Sequence, residues 1–180
     1  MAFMKATMQK KNEVKYYFTY SLKKIKIGIA EENNAITGVY FGTNIPSGFV
    51  KAETPLIKKA AAQIKEYLNG KRKKFSLPLS MHGTEFQMDV WRALQSIPYG
   101  ETRSYKEIAE LVHRPKAVRA VGMANHRNPI SIIVPCHLVI GHDGSLTGYG
   151  GGLPLKKYLL ELEGALQGAL RPAAFPRLTH

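Results

Sequence analysis

The sequence predicts an α+β fold in which a small unit of strands and one helix precedes a mostly helical unit. Three observations predict it. Residues 13–50 are rich in β-branched and aromatic residues, cut by turn signals. Residues 54–70 carry the start, the period and the stop of a helix. From residue 84 onward, segments open on capping boxes and run with helical rather than alternating spacing. The expected division is residues 1–80, residues 81–164, and a flexible tail over residues 165–180.

In the first unit, "VKYYFTY" (14–20), "IKIGIA" (25–30) and "AITGVYFG" (35–42) read as strands, the third entered through the turn signal "ENN". Thr54 suits an N-cap and Pro55 the first helical position. Ile57, Ala60, Ala61, Ile64 and Leu68 then keep one face, and Asn69-Gly70 ends the helix. "KRKK" (71–74) is expected as a solvated edge or linker, and "FSLPLS" (75–80) as a short strand before the boundary. In the second unit, Thr84 and Gln87 form one capping box, with Phe86, Val90, Trp91 and Leu94 as the apolar face behind it. "PYGETR" is a turn, Ser104 and Glu107 form a second box, and "HRP" breaks the helix they start.

"KAVRAVGMANHRN" is a further helix, and with the one before it makes a helix-turn-helix pattern. Its side chains are short, so it cannot read many base edges in a major groove. Two readings stay open: a helix lying close against a minor groove with Arg119 as its one long probe, or a helix buried through its small residues. "GHDGSLTGYGGG" is a glycine-dense loop made for close backbone approach. The last helix runs from Pro154 to Gly164, with Leu155, Tyr158, Leu159 and Leu162 as its expected buried face. Glu163 stands four residues after Leu159, at the border of that face, where a carboxylate needs a partner.

The chain has 180 residues, 44% hydrophobic and 9% aromatic, with a formal charge of +13. That composition belongs to a globular protein with a core, and excludes a disordered chain. No apolar run approaches the ~20 residues that cross a membrane, and no secretory signal is apparent. The charge points to a polyanionic partner, most often nucleic acid. It is uneven: residues 1–80 carry 15 basic and 5 acidic residues, residues 81–164 carry 9 and 8. The surplus thus sits in the half that lacks the chemical motifs described next.

Those motifs centre on "IIVPCHLVIG" (132–141), which holds Cys136, the only cysteine. One cysteine forms no internal disulfide, which suits a reducing, cytoplasmic setting. A lone cysteine in an apolar run is often only a small buried hydrophobe. Here His137 follows it, and an imidazole can accept a thiol proton while a carboxylate orients the imidazole. Cys136, His137 and Glu163 could fill those three roles. Neighbours in a strand point to opposite faces, so Cys136 and His137 require an irregular segment or a bridging water, and Pro135 fits such a kink.

The stretch "RAVGMANHR…NPISIIVPCHLVIGHDGSLTGYGGG…KKYLLELEG", with "GTEFQMDVWRALQSIPYGETRSYKEIA" before it, resembles the O-6-alkylguanine-DNA alkyltransferases, the methylated-DNA–protein-cysteine methyltransferases. The resemblance covers about residues 83–164 and implies a ribonuclease H-like first domain and a winged helix-turn-helix-like second one. It implies direct-reversal DNA repair. Such a protein binds double-stranded DNA through the minor groove, flips O-6-alkylguanine (in some members O-4-alkylthymine) out of the stack, and takes the alkyl group irreversibly onto cysteine. By match of position, Cys136 is the acceptor, His137 its base through a water, and Glu163 the partner of His137. Arg119 fills the gap left by the flipped base, with Ala120 and Ala124 beside it on the DNA. Tyr105 crowds the target phosphate, helps rotate the nucleotide and can donate to the guanine, and Asn128 is the hinge that ties the recognition segment to the cysteine strand. The Val139 carbonyl, Tyr149 and Gly150 line the base pocket.

The chain departs from the family pattern at Leu138, where arginine is usual, at Met123, where a second glycine is usual, and at Gly150, often serine. The zinc-binding cysteines and histidines of some members are not evident, so no metal is expected. No cofactor is expected either, because DNA supplies the alkyl group, and a monomer suffices. The rival readings are a lesion sensor, a winged-helix regulator and a cysteine hydrolase. Sensors of this type replace the cysteine that this chain keeps, and neither other rival accounts for Arg119 and the small-residue helix.

Overall fold

A computed structural model describes residues 13–168. Strands β1 (Lys15–Leu22), β2 (Ile25–Glu32) and β3 (Ala35–Phe41) form an antiparallel meander, and the short β4 (Val50–Lys51) pairs parallel with β1, giving the order β3-β2-β1-β4. Both hairpins turn on two left-handed residues: Lys23 and Lys24 at φ 46 and 67°, Asn33 and Asn34 at φ 51 and 59°. Such primed turns match strand twist and suit Asn. Lysines carry no such signal, so the pairing of Leu22 with Ile25 closes the first hairpin against local preference.

Helix α1 (Pro55–Leu68) packs on this sheet. The Thr54 side chain accepts from the Ile57 N–H, as an N-cap should, and the expected face is buried. Gln63 and Tyr67 are buried with it, which the apolar pattern missed. "FSLPLS" is not a strand. It makes one bridge, Ile36 to Leu79, through the Pro78 carbonyl and the Ser80 N–H. Prolines cannot donate to a ladder, which limits the segment to that contact.

The second half holds α2 (Glu85–Gln95), α3 (Tyr105–Leu111), α4 (Val118–His126), a 3-10 turn (Cys136–Leu138) and α5 (Leu153–Leu162). Both capping boxes form, at Thr84/Gln87 and Ser104/Glu107. The two-residue strands β5 (Arg103–Ser104) and β6 (Val139–Ile140) pair parallel beside the turn. The α5 face differs from expectation: Lys156, Leu159 and Leu160 are buried, while Leu155, Tyr158 and Leu162 are only partly so. The start of the tail differs too. Ala165 is fully buried and Ala165–Gly168 form a helical turn, α6. The remainder of the expected flexible tail lies outside the described residues.

The two halves share one continuous core running from Ile27 and Ile36 to Leu159 and Ala165. The free edge of β3 joins them. The Val39 N–H donates to the Pro129 carbonyl at 2.9 Å, and the Ser131 N–H donates to the Val39 carbonyl at 3.3 Å. A sheet edge that would otherwise be open is thus spent fixing the segment that leads to Cys136. Among the described residues no helix is long and apolar enough to cross a membrane.

Candidate active site

Cys136 sits at the start of the 3-10 turn, 4% exposed, with His137 fully buried beside it. The irregular segment expected after Pro135 is therefore this turn, which removes the strand alternation that would have sent the two side chains apart. Two asparagines hold this turn. Asn128 donates to the Val134 carbonyl at 2.8 Å and accepts from the Ile130 N–H at 3.0 Å. Asn125 donates to the Cys136 carbonyl at 3.3 Å. In the segment between Asn128 and Cys136, Ile132 is buried at φ 71°, a region costly for a β-branched residue. Core burial and the β3 contact hold it there.

His137 and Glu163 form a buried pair, Nε2 to Oε1 at 2.7 Å. The Tyr67 hydroxyl donates to the same oxygen at 2.5 Å, and the Gly100 N–H donates to the other at 2.8 Å. Burial works against the Glu163 charge, but the His137, Tyr67 and Gly100 donors together hold its carboxyl below the ordinary carboxylate range. With the Nε2 hydrogen committed to Glu163, Nδ1 is the bare nitrogen. It is buried and has no partner among the described residues. Burial pushes the Cys136 thiol above its ordinary value, while Asn128 and the charge of Lys156 pull the other way. The resting side chain is thus a neutral thiol, and a thiol attacks only after losing its proton.

Lys156 is fully buried and donates to the Val139 carbonyl at 2.6 Å and the Thr147 carbonyl at 2.9 Å. Burial lowers its pKa to about 8, with the Cys136 charge opposing. The Thr147 hydroxyl in turn donates to the Tyr105 hydroxyl at 3.1 Å. One ammonium therefore ties the strand after the turn to the glycine loop and, through Thr147, to α3. The Val139 carbonyl, expected to read a base, already accepts from Lys156. The Tyr149 ring lies 6.5 Å from the His137 ring, edge on, and 5.5 Å from Phe41. Gly150 is exposed, with open space where a side chain would begin.

A groove of about 360 Å³ runs between α4 and the glycine loop, lined by Tyr105, Arg119, Gly122, Asn125, Thr147 and Gly148 among others. Arg119 and Val118 are exposed in its lining, and Ala120 and Met123 are exposed on α4 outside that lining. Ala124, expected on the same DNA-facing side, is buried instead. It faces α2, where its carbonyl accepts the Trp91 indole N–H at 2.9 Å. The buried-helix reading of α4 holds for one face, with Val121, Ala124 and Asn125 inward, while Arg119, Ala120 and Met123 lie outward and are open to a partner.

The structure brings together Cys136, His137, Glu163 and Asn128, and sets Tyr105 and Arg119 across the groove. Sequence reasoning missed Tyr67, Gly100, Asn125 and Lys156. Lys156 had a signal: it lies seven residues before Glu163, on the stripe that also holds Leu159 and Leu160. Tyr67 had one too, three residues after Ile64 on the buried face of α1. Gly100 had none. Among the described residues no three His, Cys, Asp or Glu side chains gather as metal ligands.

Comparison with known proteins matches residues 15–81 to the model "6-O-methylguanine DNA methyltransferase, ribonuclease-like domain" and residues 85–165 to "6-O-methylguanine DNA methyltransferase, DNA binding domain". The chain is similar to the constitutive methylated-DNA–protein-cysteine methyltransferase of Bacillus subtilis, 47% identical over 156 residues, covering 82% of this chain and 94% of that one. The Methanosarcina barkeri protein of the same name is 54% identical over 119 residues, covering 66% and 75%. Among solved structures, Mycobacterium tuberculosis OGT in complex with DNA matches with a TM-score of 0.78 and 42% identity, covering 84% of this chain and 94% of that one.

Proposed function

The chain belongs to the 6-O-methylguanine DNA methyltransferase family, and from that membership we propose that it lifts an O-6-alkylated guanine out of duplex DNA and moves the alkyl group irreversibly onto its own Cys136. DNA repair by alkyl transfer, of the methylated-DNA–protein-cysteine methyltransferase type, is the activity of the family. The finer reading rests on one observation: a buried thiol lies beside an imidazole whose other nitrogen is paired with a buried carboxylate at 2.7 Å.

In the proposed step, His137 takes the thiol proton at Nδ1, through a water. The Cys136 sulfur bonds to the alkyl carbon as the bond from that carbon to O-6 breaks. The bonding pair stays on the guanine, which recovers one proton, so thiol and alkylguanine become thioether and guanine. Glu163 steadies the imidazolium formed on the way. A thiol this buried cannot reach a stacked base, so the base must come to it. The groove beside α4 supports entry from the minor-groove side: Gly122 in its lining permits close approach, Arg119 is long enough to occupy the vacated stack, and Ala120 is exposed on the same helix. Tyr105 and Tyr149 would flank the incoming base, with Gly150 and the Val139 carbonyl against its edge. Water cannot displace a thioether, so each monomer acts once, without cofactor. A reducing, cytoplasmic setting keeps the thiol available.

The test is intact-protein mass spectrometry after mixing with a duplex that holds one O-6-methylguanine. The expected result is one methyl mass per protein, mapped to Cys136 and absent from Cys136→Ala. Tight lesion binding without mass gain would turn the reading to a lesion sensor.

A further inference from the structure

We propose that Tyr67, on helix α1 of the sheet half, is a positioning residue for alkyl transfer, its hydroxyl setting how strongly Glu163 holds His137. The inference rests on the proposed reaction at Cys136 and names a residue from the other half of the molecule as part of its relay.

Tyr67 is 2% exposed, and its hydroxyl reaches the relay from helix α1 of the sheet half. It donates to Glu163 Oε1 at 2.5 Å and stands 3.2 Å from His137 Nε2, which shares that carboxylate oxygen at 2.7 Å. Two donors therefore compete for one oxygen. Each donor withdraws charge from the carboxylate and weakens what it offers the other. Burial and the Glu163 charge push the phenol well above its ordinary value, so it stays a neutral donor throughout the working range. The hydroxyl is held by its ring: Phe75 packs at 5.5 Å and Tyr99 edge on at 6.3 Å. Helix α1 is held by its sheet, and β3 of that sheet is bonded to Pro129 and Ser131 ahead of the cysteine turn. The position of the sheet half is thereby transmitted to the base of the reaction.

The groups facing His137 are few. Glu163 comes from the end of α5, Tyr67 from α1, Tyr149 from the glycine loop and Cys136 from its own turn. Tyr99 stands behind Tyr67 and Glu163, with Lys73 over its ring at 5.4 Å, and Lys156 lies on the thiol side. Of these only Tyr67 touches both members of the pair, so deleting its hydroxyl should act on the pair alone. Glu163 Oε1 then serves His137 by itself and favours the protonated imidazole more. A base that is already protonated cannot take the thiol proton.

The experiment compares single-turnover methyl transfer from an O-6-methylguanine duplex across pH 5.5–9 for wild type, Tyr67→Phe, and protein carrying 3-fluorotyrosine at position 67. In Tyr67→Phe the acid limb should move to higher pH, with the rate at pH 6 lower by about fivefold and recovery above about pH 8. Fluorotyrosine, a stronger donor of nearly the same shape, should move the limb to lower pH. Lesion-duplex affinity, measured in a Cys136→Ala background, should not change. Limbs that superimpose, a loss independent of pH, or the same displacement for both replacements would overturn the role of Tyr67 while leaving alkyl transfer intact. No methyl gain by wild type would instead remove the reaction, and this inference with it.

Discussion

At the scale of single residues, Glu163 does two jobs that can be separated. It anchors His137, and it is a buried carboxylate satisfied by three donors. Glu163→Gln should lower the single-turnover transfer rate by roughly 10²-fold, the range general-base assistance contributes. It should also change stability with a defined pH signature. The folded carboxyl lies below its ordinary range, so its contribution is present above about pH 5 and is lost as pH falls through the folded value. Urea unfolding at several pH values should show the wild-type advantage over the variant shrinking between about pH 5 and 3. Arg119 makes a contrasting case, because it is exposed and lines the groove beside α4. Arg119→Ala should slow transfer from duplex DNA but leave transfer from a free O-6-alkylated guanine unchanged, since a free base needs no flipping. Equal losses on both substrates would put Arg119 in the pocket rather than in the DNA stack.

At the scale of elements, the turns do more for the site than the helices. Gly100 lies between α2 and β5 at φ 81°, and a Cβ there would come within 2.8 Å of the Glu163 carbonyl oxygen. That partner is backbone and cannot swing away. Gly100→Ala should therefore cost about 1–3 kcal/mol of stability and displace Glu163, lowering the transfer rate as well. Thermal unfolding beside single-turnover kinetics would check both. At Gly150 the space is open, so Gly150→Ser should be tolerated within about 0.5 kcal/mol. The same loop geometry thus predicts two opposite outcomes for two glycines, which composition alone would treat alike.

At the scale of the whole molecule, the shared core means that chemistry at one buried atom is felt throughout. Cys136 is packed in that core, and a methyl group added to its sulfur must be accommodated. Overpacking of this kind typically costs about 1–3 kcal/mol. The alkylated protein should therefore melt several degrees below the unreacted one, by calorimetry on samples before and after saturation with lesion DNA. Equal melting temperatures would mean the base pocket has room that the packing around Cys136 does not suggest. The charge distribution belongs to this scale too. The surplus of positive charge lies in residues 1–80, while Arg119 and the groove belong to the nearly neutral half.

Much of this was legible in the chain itself. Both capping boxes, the Thr54 cap, the α1 face and three strands follow from local rules, because caps and periodic faces are satisfied within a few residues. Cys136, His137 and Glu163 were legible because their chemistry is rare and their spacing specific. Tyr67, Gly100 and Lys156 were not. Their meaning lies in partners that are 96, 63 and 17 residues away. Ala124 was misplaced for a related reason: a small residue suits a close contact on either face of a helix, and only Trp91 decides which. The sequence by itself determined most of the longer elements, the candidate set Cys136, His137 and Glu163, and the family resemblance. Tertiary structure decided the Cys136–His137 turn, the burial that keeps the thiol neutral, and the donors that converge on Glu163, because a buried polar group takes its partners from wherever the packed chain supplies them.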